Sequence, residues 1–208
     1  MNYDSLIADV QSYAEKSDAE FVDQIPRFVM LAETRIASEA RGLGLMLPVT
    51  NTLSVGTSVL QKPAQWRETV SFCIGTSTGF NTRVYLRLRP YEYCRAYAPD
   101  PTQQSQPKYY ADYDYEDWLI APSPALAHPF EIIYHQRPTP LDDANQTNWT
   151  TKYAPQLILY AALLESQYWL KQDARVPVFQ KEYDRALAQV AFEQKRRLED
   201  RSMMVQSA

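Results

Sequence analysis

The residues best suited to chemistry stand in one acidic, aromatic run, Tyr109-Tyr110-Ala111-Asp112-Tyr113-Asp114-Tyr115-Glu116-Asp117-Trp118. Asp112, Asp114 and Glu116 alternate as in the opening of a calcium loop, where carboxylates at the first, third and fifth places meet a hard cation. The pattern then departs from that loop. Asp117 stands at the sixth place, where a glycine is needed, and Ser123 at the twelfth, where a glutamate is needed. Paired carboxylates beside tyrosine and tryptophan would also suit a small cell-wall glycan hydrolase, which needs an acid and a base or nucleophile across a sugar. A third reading is structural. Acids alternating with rings along a strand give one solvated face and one packed face, and the alternation favours this reading.

Other chemistry has little material. The two histidines, His128 and His135, have no carboxylate at ligand spacing, so no metal site is expected. Cys73 and Cys94 are too few for a disulfide framework and match no zinc spacing, so both are expected as reduced, buried thiols. With 5 glycines there is no phosphate-cradling motif, and no Gly-x-Ser-x-Gly occurs. No catalytic residue, metal or cofactor is expected.

The chain has 208 residues, 45% of them hydrophobic, which excludes wholesale disorder. Its net charge of -4 argues against a duplex-binding domain, which needs a basic excess to displace counterions. The N-terminus lacks a signal-peptide pattern, and the longest apolar run, Leu157 to Leu164, is too short for a bilayer. A soluble intracellular protein without membrane contact is the expectation. Tyrosine occurs 15 times, and arginine outnumbers lysine two to one. Tyrosine and arginine are the residues that anchor protein interfaces.

Helices must hold both ends. Tyr3, Leu6, Ile7, Val10, Tyr13 and Ala14 form one helical stripe, and Phe21, Ile25, Phe28, Val29, Ala32 and Ile36 form a second. Ser17 and Glu20 fit a capping box, Pro26 predicts a kink or a fresh start, and Gly42 and Gly44 predict the end. Near the C-terminus, Thr151 is a candidate N-cap before a helix that is apolar all round through Leu164. Asp173 is a candidate cap for the next helix, striped by Phe179, Tyr183, Leu187 and Val190. Beyond Phe192 the stripe thins to Leu198, and the tail from Ser202 is expected to be mobile.

The middle reads as strands over 53–60, 66–75, 80–89, 108–113, 117–121 and 130–136, with a short helix over 91–97. In the 83–89 strand, Val84, Leu86 and Leu88 face one way and Arg83, Tyr85, Arg87 and Arg89 the other. That arginine row could meet nucleic acid, but it reads better as an outer face or as inter-subunit salt links. Trp66, after Pro63, is expected to anchor the edge of the β core. The fold class is therefore α+β: a four-helix layer from 1–47 plus 148–208, with a mostly antiparallel β region inserted over 48–147.

Several segments in order, Tyr3-Asp-Ser-Leu-Ile-Ala-Asp-Val10, Phe21-Val-Asp-Gln-Ile-Pro-Arg-Phe-Val-Met-Leu-Ala-Glu-Thr-Arg-Ile36, Pro63-Ala-Gln-Trp-Arg-Glu-Thr69, Leu88-Arg-Pro-Tyr-Glu-Tyr93, Tyr109-Tyr-Ala-Asp-Tyr-Asp114 and Tyr153-Ala-Pro-Gln-Leu157, resemble the head-to-tail adaptor (connector, tail tubular protein A-like) family of tailed, mainly short-tailed, bacteriophages. The resemblance covers roughly residues 3 to 200 and carries no catalytic motif. It implies a non-enzymatic virion protein, assembled in the host cytoplasm and placed at the head-tail junction. The implied partners are the portal protein, the tail nozzle protein and further copies of itself in a dodecameric ring. That ring lines a channel through which DNA passes without sequence-specific binding. On this reading Lys195, Arg196, Arg197, Arg201, Met203 and Met204 are candidates for portal docking. Arg83, Arg87, Arg89, Asp112, Asp114 and Glu116 are candidates for a subunit or channel face. The rival classes are the glycan hydrolase above and a monomeric sugar- or protein-binding module.

Overall fold

The protein is described by a computed structural model covering residues 1–40, 46–76, 80, 82–172 and 174–206, with side chains described as far as Arg197 at the C-terminal end. The expected helix-ending Gly42 and Gly44, the strand-breaking Gly79 and the candidate cap Asp173 lie outside the described residues. The chain is α+β and forms two compact units. One comprises Met1–Leu45 and Arg137–Ala208, and the other is Met46–Gln136.

In the helical unit, α1 spans Tyr3–Ala14 and α2 spans Ala19–Glu39; after the β unit come α4 over Trp149–Tyr153, α5 over Pro155–Leu170 and α6 over Val176–Gln206. Helix α3 belongs to the β unit. Asn2 caps α1 through a reciprocal box with Ser5, donating its backbone N–H to Oγ and accepting from the Ser5 N–H at 2.9 Å each. The box expected at Ser17 and Glu20 does not form: α2 starts one residue later, at an Asp18 N-cap whose side chain accepts no cap hydrogen bond. Pro26 lies inside one continuous α2. Asn148, not Thr151, caps the helix that precedes α5, and Thr151 is instead its reciprocal partner.

Helix α5 is the hub. Its run from Leu157 to Leu164 is buried or half-buried throughout, because α1, α2, α4 and α6 all pack against it. An all-apolar helix has this requirement, since no face of it gains from water. Two polar ties fix the register of the bundle. Arg35 of α2 pairs with Glu165 of α5 at 2.6 Å, and the Tyr183 hydroxyl of α6 donates to Glu39 of α2 at 2.6 Å. Residues 137–147, which the sequence reading put in the insert, lie with the helices: the Tyr3 N–H donates to the Gln146 carbonyl and the Leu141 N–H to Glu33.

The β unit contains β1 (Met46–Leu53), β2 (Val59–Gln61), β3 (Trp66–Gly75), β4 (Arg83–Tyr85), β5 (Arg87–Leu88), α3 (Tyr91–Tyr97), β6 (Gln104–Ser105), β7 (Tyr109–Asp112), β8 (Asp117–Ala121), β9 (Ser123–Pro124) and β10 (His128–Gln136). One sheet has the order β1-β10-β3-β4 and is antiparallel throughout. The second has the order β2-β8-β7-β5, antiparallel except for β5 on β7, and β6 pairs β9 in parallel. The strand expected over 53–60 is in fact the end of β1, a turn and the start of β2. Gly56 makes that turn with a φ of 72°, a value glycine reaches at no steric cost.

Inward residues of both sheets form one core, including Phe72, Ile74, Tyr110, Trp118, Ile120, Phe130 and Ile132. Strand β8 is buried on both faces. Trp118 and Ile120 point into that core, while Leu119 and Ala121 pack with Cys94 of α3. Both cysteines are buried free thiols, and burial raises the pKa of each.

The 83–89 segment is not one strand. It breaks at Leu86, with Arg83–Tyr85 in the first sheet and Arg87–Leu88 in the second. Leu86 is buried between them, whereas Leu88 is 60% exposed and does not share its face. Val84 and Leu86 keep the expected inward side, but the two halves take different partner strands and Leu88 turns outward.

Candidate functional site

The acidic run folds as the β7–β8 hairpin. Asp112 ends β7, Asp117 begins β8, and Asp112, Asp114 and Glu116 are exposed. Asp114 holds the turn by accepting the backbone N–H groups of Glu116 at 2.8 Å and Asp117 at 2.7 Å. This is an aspartate turn: the side chain takes two amides that the ladder leaves over. The carboxylates lie on a solvent-facing hairpin instead of facing each other across a cleft, which suits neither sugar hydrolysis nor a calcium loop. Among the described residues no group of three or more His, Cys, Asp and Glu could hold a metal.

The sequence reading missed what sits behind this turn. Lys62 is buried, with its ammonium donating to the Asp112 carboxylate and the Asp114 carbonyl. The same ammonium lies 4.2 Å from the centroid of the Trp66 ring. Trp66 is half-buried at the core edge, edge-on to Trp118 with centroids 5.7 Å apart, and its Nε1–H donates to Thr69 at 3.1 Å. Lys62, Trp66, Asp112 and Asp114 thus form one unit that clamps the strand after Pro63 to the hairpin. No local signal reveals it, because Lys62 lies 50 residues from Asp112 in sequence.

The three arginines separate. Arg83 pairs with Glu131 at 3.5 Å and lies over the Phe80 ring. Arg87 and Arg89 are exposed on the second sheet, with Arg89 5.4 Å over the Tyr93 ring. His128 is buried, with Nδ1 2.8 Å from the Gly75 carbonyl, a structural role in the first sheet.

In the helical unit, Glu33 is the buried carboxyl. It accepts the Leu141 N–H at 3.3 Å and an Asn148 Nδ2–H at 2.7 Å. Burial pushes its pKa up from 4.5 to about 7, against the opposing pull of those two donors. A sequence signal for it existed. Glu33 falls on the stripe of Val29, Ile36 and Ala37, a place where a charged residue must find partners.

The C-terminal candidates lie on α6. Lys195, Arg196 and Arg197 are exposed, and Arg197 pairs with Glu193 one turn earlier. The backbone is helical to Gln206; the side chains of Arg201, Met203 and Met204 lie outside the described residues. Among the described residues the apolar packing of α6 on the bundle ends at Val190, Phe192 is 64% exposed and Gln194 is half-buried.

The model of the SU10 adaptor protein family matches residues 1–207. The chain belongs to the SU10 adaptor protein family. This is a family of phage head-to-tail adaptors, structural proteins of the virion's head-tail junction that interact with other virion components, and not a class of enzymes. No curated protein matches the chain. No described helix of this adaptor is long and apolar enough to cross a membrane.

Proposed function

We propose that this adaptor is the repeating subunit of a ring between the portal and the tail nozzle, surrounding the channel through which DNA leaves the head. The observation that carries this reading is the family match over residues 1–207, which spans both units and not one borrowed module. The net charge of -4 is consistent with a channel that DNA traverses without sticking. A twelve-fold ring follows from the resemblance of roughly residues 3 to 200 to connector proteins.

Within that ring the C-terminal part of α6 docks on the portal. From residue 191 to 206 the helix continues for about 24 Å at 1.5 Å per residue beyond its last apolar contact with the bundle among the described residues. Lys195, Arg196, Arg197 and Arg201 set electrostatic register, and Met203 and Met204 fill apolar gaps. Arg83, Arg87, Arg89, Asp112, Asp114 and Glu116 lie on surfaces, not on one face, that turn toward neighbouring subunits or the channel.

Electron microscopy of the purified protein mixed with its portal tests the ring. A closed ring added to the portal is the expected result, and free protein at every concentration by sedimentation would sink the proposal. Deletion of residues 193–208 tests the docking segment separately. The truncated chain should fold and lose portal affinity, and unchanged affinity would move docking elsewhere.

A further inference from the structure

One flank of α3 and its neighbouring strands carries an unusual surface. Tyr93 and Tyr97, one turn apart on α3, are exposed and flank one side of the buried Cys94. The Tyr93 and Tyr97 rings are parallel at 6.5 Å, and both stand edge-on to Tyr109, at 5.2 and 4.9 Å. Cations lie over these rings: Arg89 over Tyr93 at 5.4 Å and Lys108 over Tyr97 at 6.0 Å. The parallel register of β5 on β7 sets the exposed Arg87 beside Tyr109. Among the described residues none of Arg87, Arg89 and Lys108 has a carboxylate within salt-bridge distance.

The rings are therefore already occupied, by one another and by cations. They are not free platforms on which a base or a sugar could stack. What the surface leaves unused is guanidinium and ammonium N–H donors, held in place on aromatic faces, which match carboxylates. The chain carries such a surface in its helical unit. Asp4, Asp142 and Asp143 are exposed, and Gln146 donates to Asp4 at 3.0 Å. No cation pairs with these three among the described residues. The acids converge on Tyr3, whose hydroxyl pKa is raised first by burial and then by Asp143, Asp142, Glu33 and Asp4.

We propose that the tyrosine-and-cation face of α3, β5 and β7 docks on the Asp4–Asp142–Asp143 surface of a second copy of this chain. The inference rests on the ring reading and names the lateral contact within it. Two different patches on each subunit make a heterologous interface, the kind that closes into a ring. Tyrosine and arginine give it desolvated anchors, and opposite charge sets its register.

The test uses two full-length variants assembled on the portal and followed by sedimentation. In the first, Arg89→Glu with Lys108→Glu makes both faces acidic. In the second, Asp142→Lys with Asp143→Lys makes both faces basic. Each alone should need about tenfold or more protein for half-assembly. An equimolar mixture should assemble close to wild type, because every contact in an alternating ring is again complementary; that recovery also shows that both variants fold. Two variants that fail singly and also fail together would overturn the proposal, as would a first variant that assembles normally. Loss of single-stranded oligonucleotide binding by the first variant, with assembly unchanged, would assign the face to nucleic acid instead. A wild type that forms no ring on its portal would overturn the ring reading itself, an outcome distinct from the others.

Discussion

Among the described residues each unit of this adaptor buries one charged side chain, Lys62 or Glu33, and the two solutions differ. In the β unit, Lys62 meets a carboxylate, a carbonyl and an aromatic face. In the helical unit, Glu33 meets only two neutral N–H donors. Hydrogen bonds alone leave the carboxylate's desolvation only partly offset, and its pKa climbs to about 7. At Glu33 two neutral donors do not offset the desolvation, whereas at Lys62 a carboxylate partner is present.

The largest consequence is a pH dependence in the helical unit. Between pH 4.5 and about 7 the folded chain holds a proton on Glu33 that the unfolded chain has released. Stability therefore falls as pH rises through this window, by on the order of 3 kcal/mol for this group. Urea unfolding at pH 5 and pH 8 should show the fall in wild type and lack that component in Glu33→Gln. Equal pH profiles would mean the carboxylate finds a countercharge.

The β-unit side of the comparison turns on Trp66. It is half-buried, so Trp66→Ala should cost about 2–3 kcal/mol, below the roughly 3–5 expected of a fully buried ring. Chemical denaturation measures it, and assembly lost at unchanged stability would place the ring in an interface. Lys62→Met keeps most of the stem and removes the charge. It should cost about 2 kcal/mol, because the largely exposed Asp112 can turn to water while the Asp114 carbonyl loses its donor. A cost near zero would make the two buried charges equivalent and remove the contrast. The smallest effect belongs to the turn itself: Asp114→Ala should cost about 1 kcal/mol in thermal unfolding and Asp114→Asn much less, since the amide oxygen can still accept.

Local pattern made much of this legible. The all-apolar run to Leu164 pointed to a central helix, and α5 occupies that place. Strand β8 and helix α3 have the bounds their residues suggested. Where the partner decided, local pattern failed. Val84, Leu86 and Leu88 alternate as one strand should, yet the chain changes sheets at Leu86. Lys62 reads as a surface lysine between Gln61 and Pro63, and only the distant hairpin makes it a buried cation. Thr151 looks like a cap as good as Asn148; tertiary contacts to Glu33 and the Thr139 carbonyl favour the asparagine.

The interruption of the helical unit by residues 46–136 has a consequence for synthesis. Helices α1 and α2 leave the ribosome first, but the helix that covers their apolar stripes does not begin until Pro155. At roughly 5–20 residues per second that wait is on the order of ten seconds. The contiguous β unit can close during this interval, while Phe21, Ile25 and Phe28 remain open to water and to chaperones until α5 emerges.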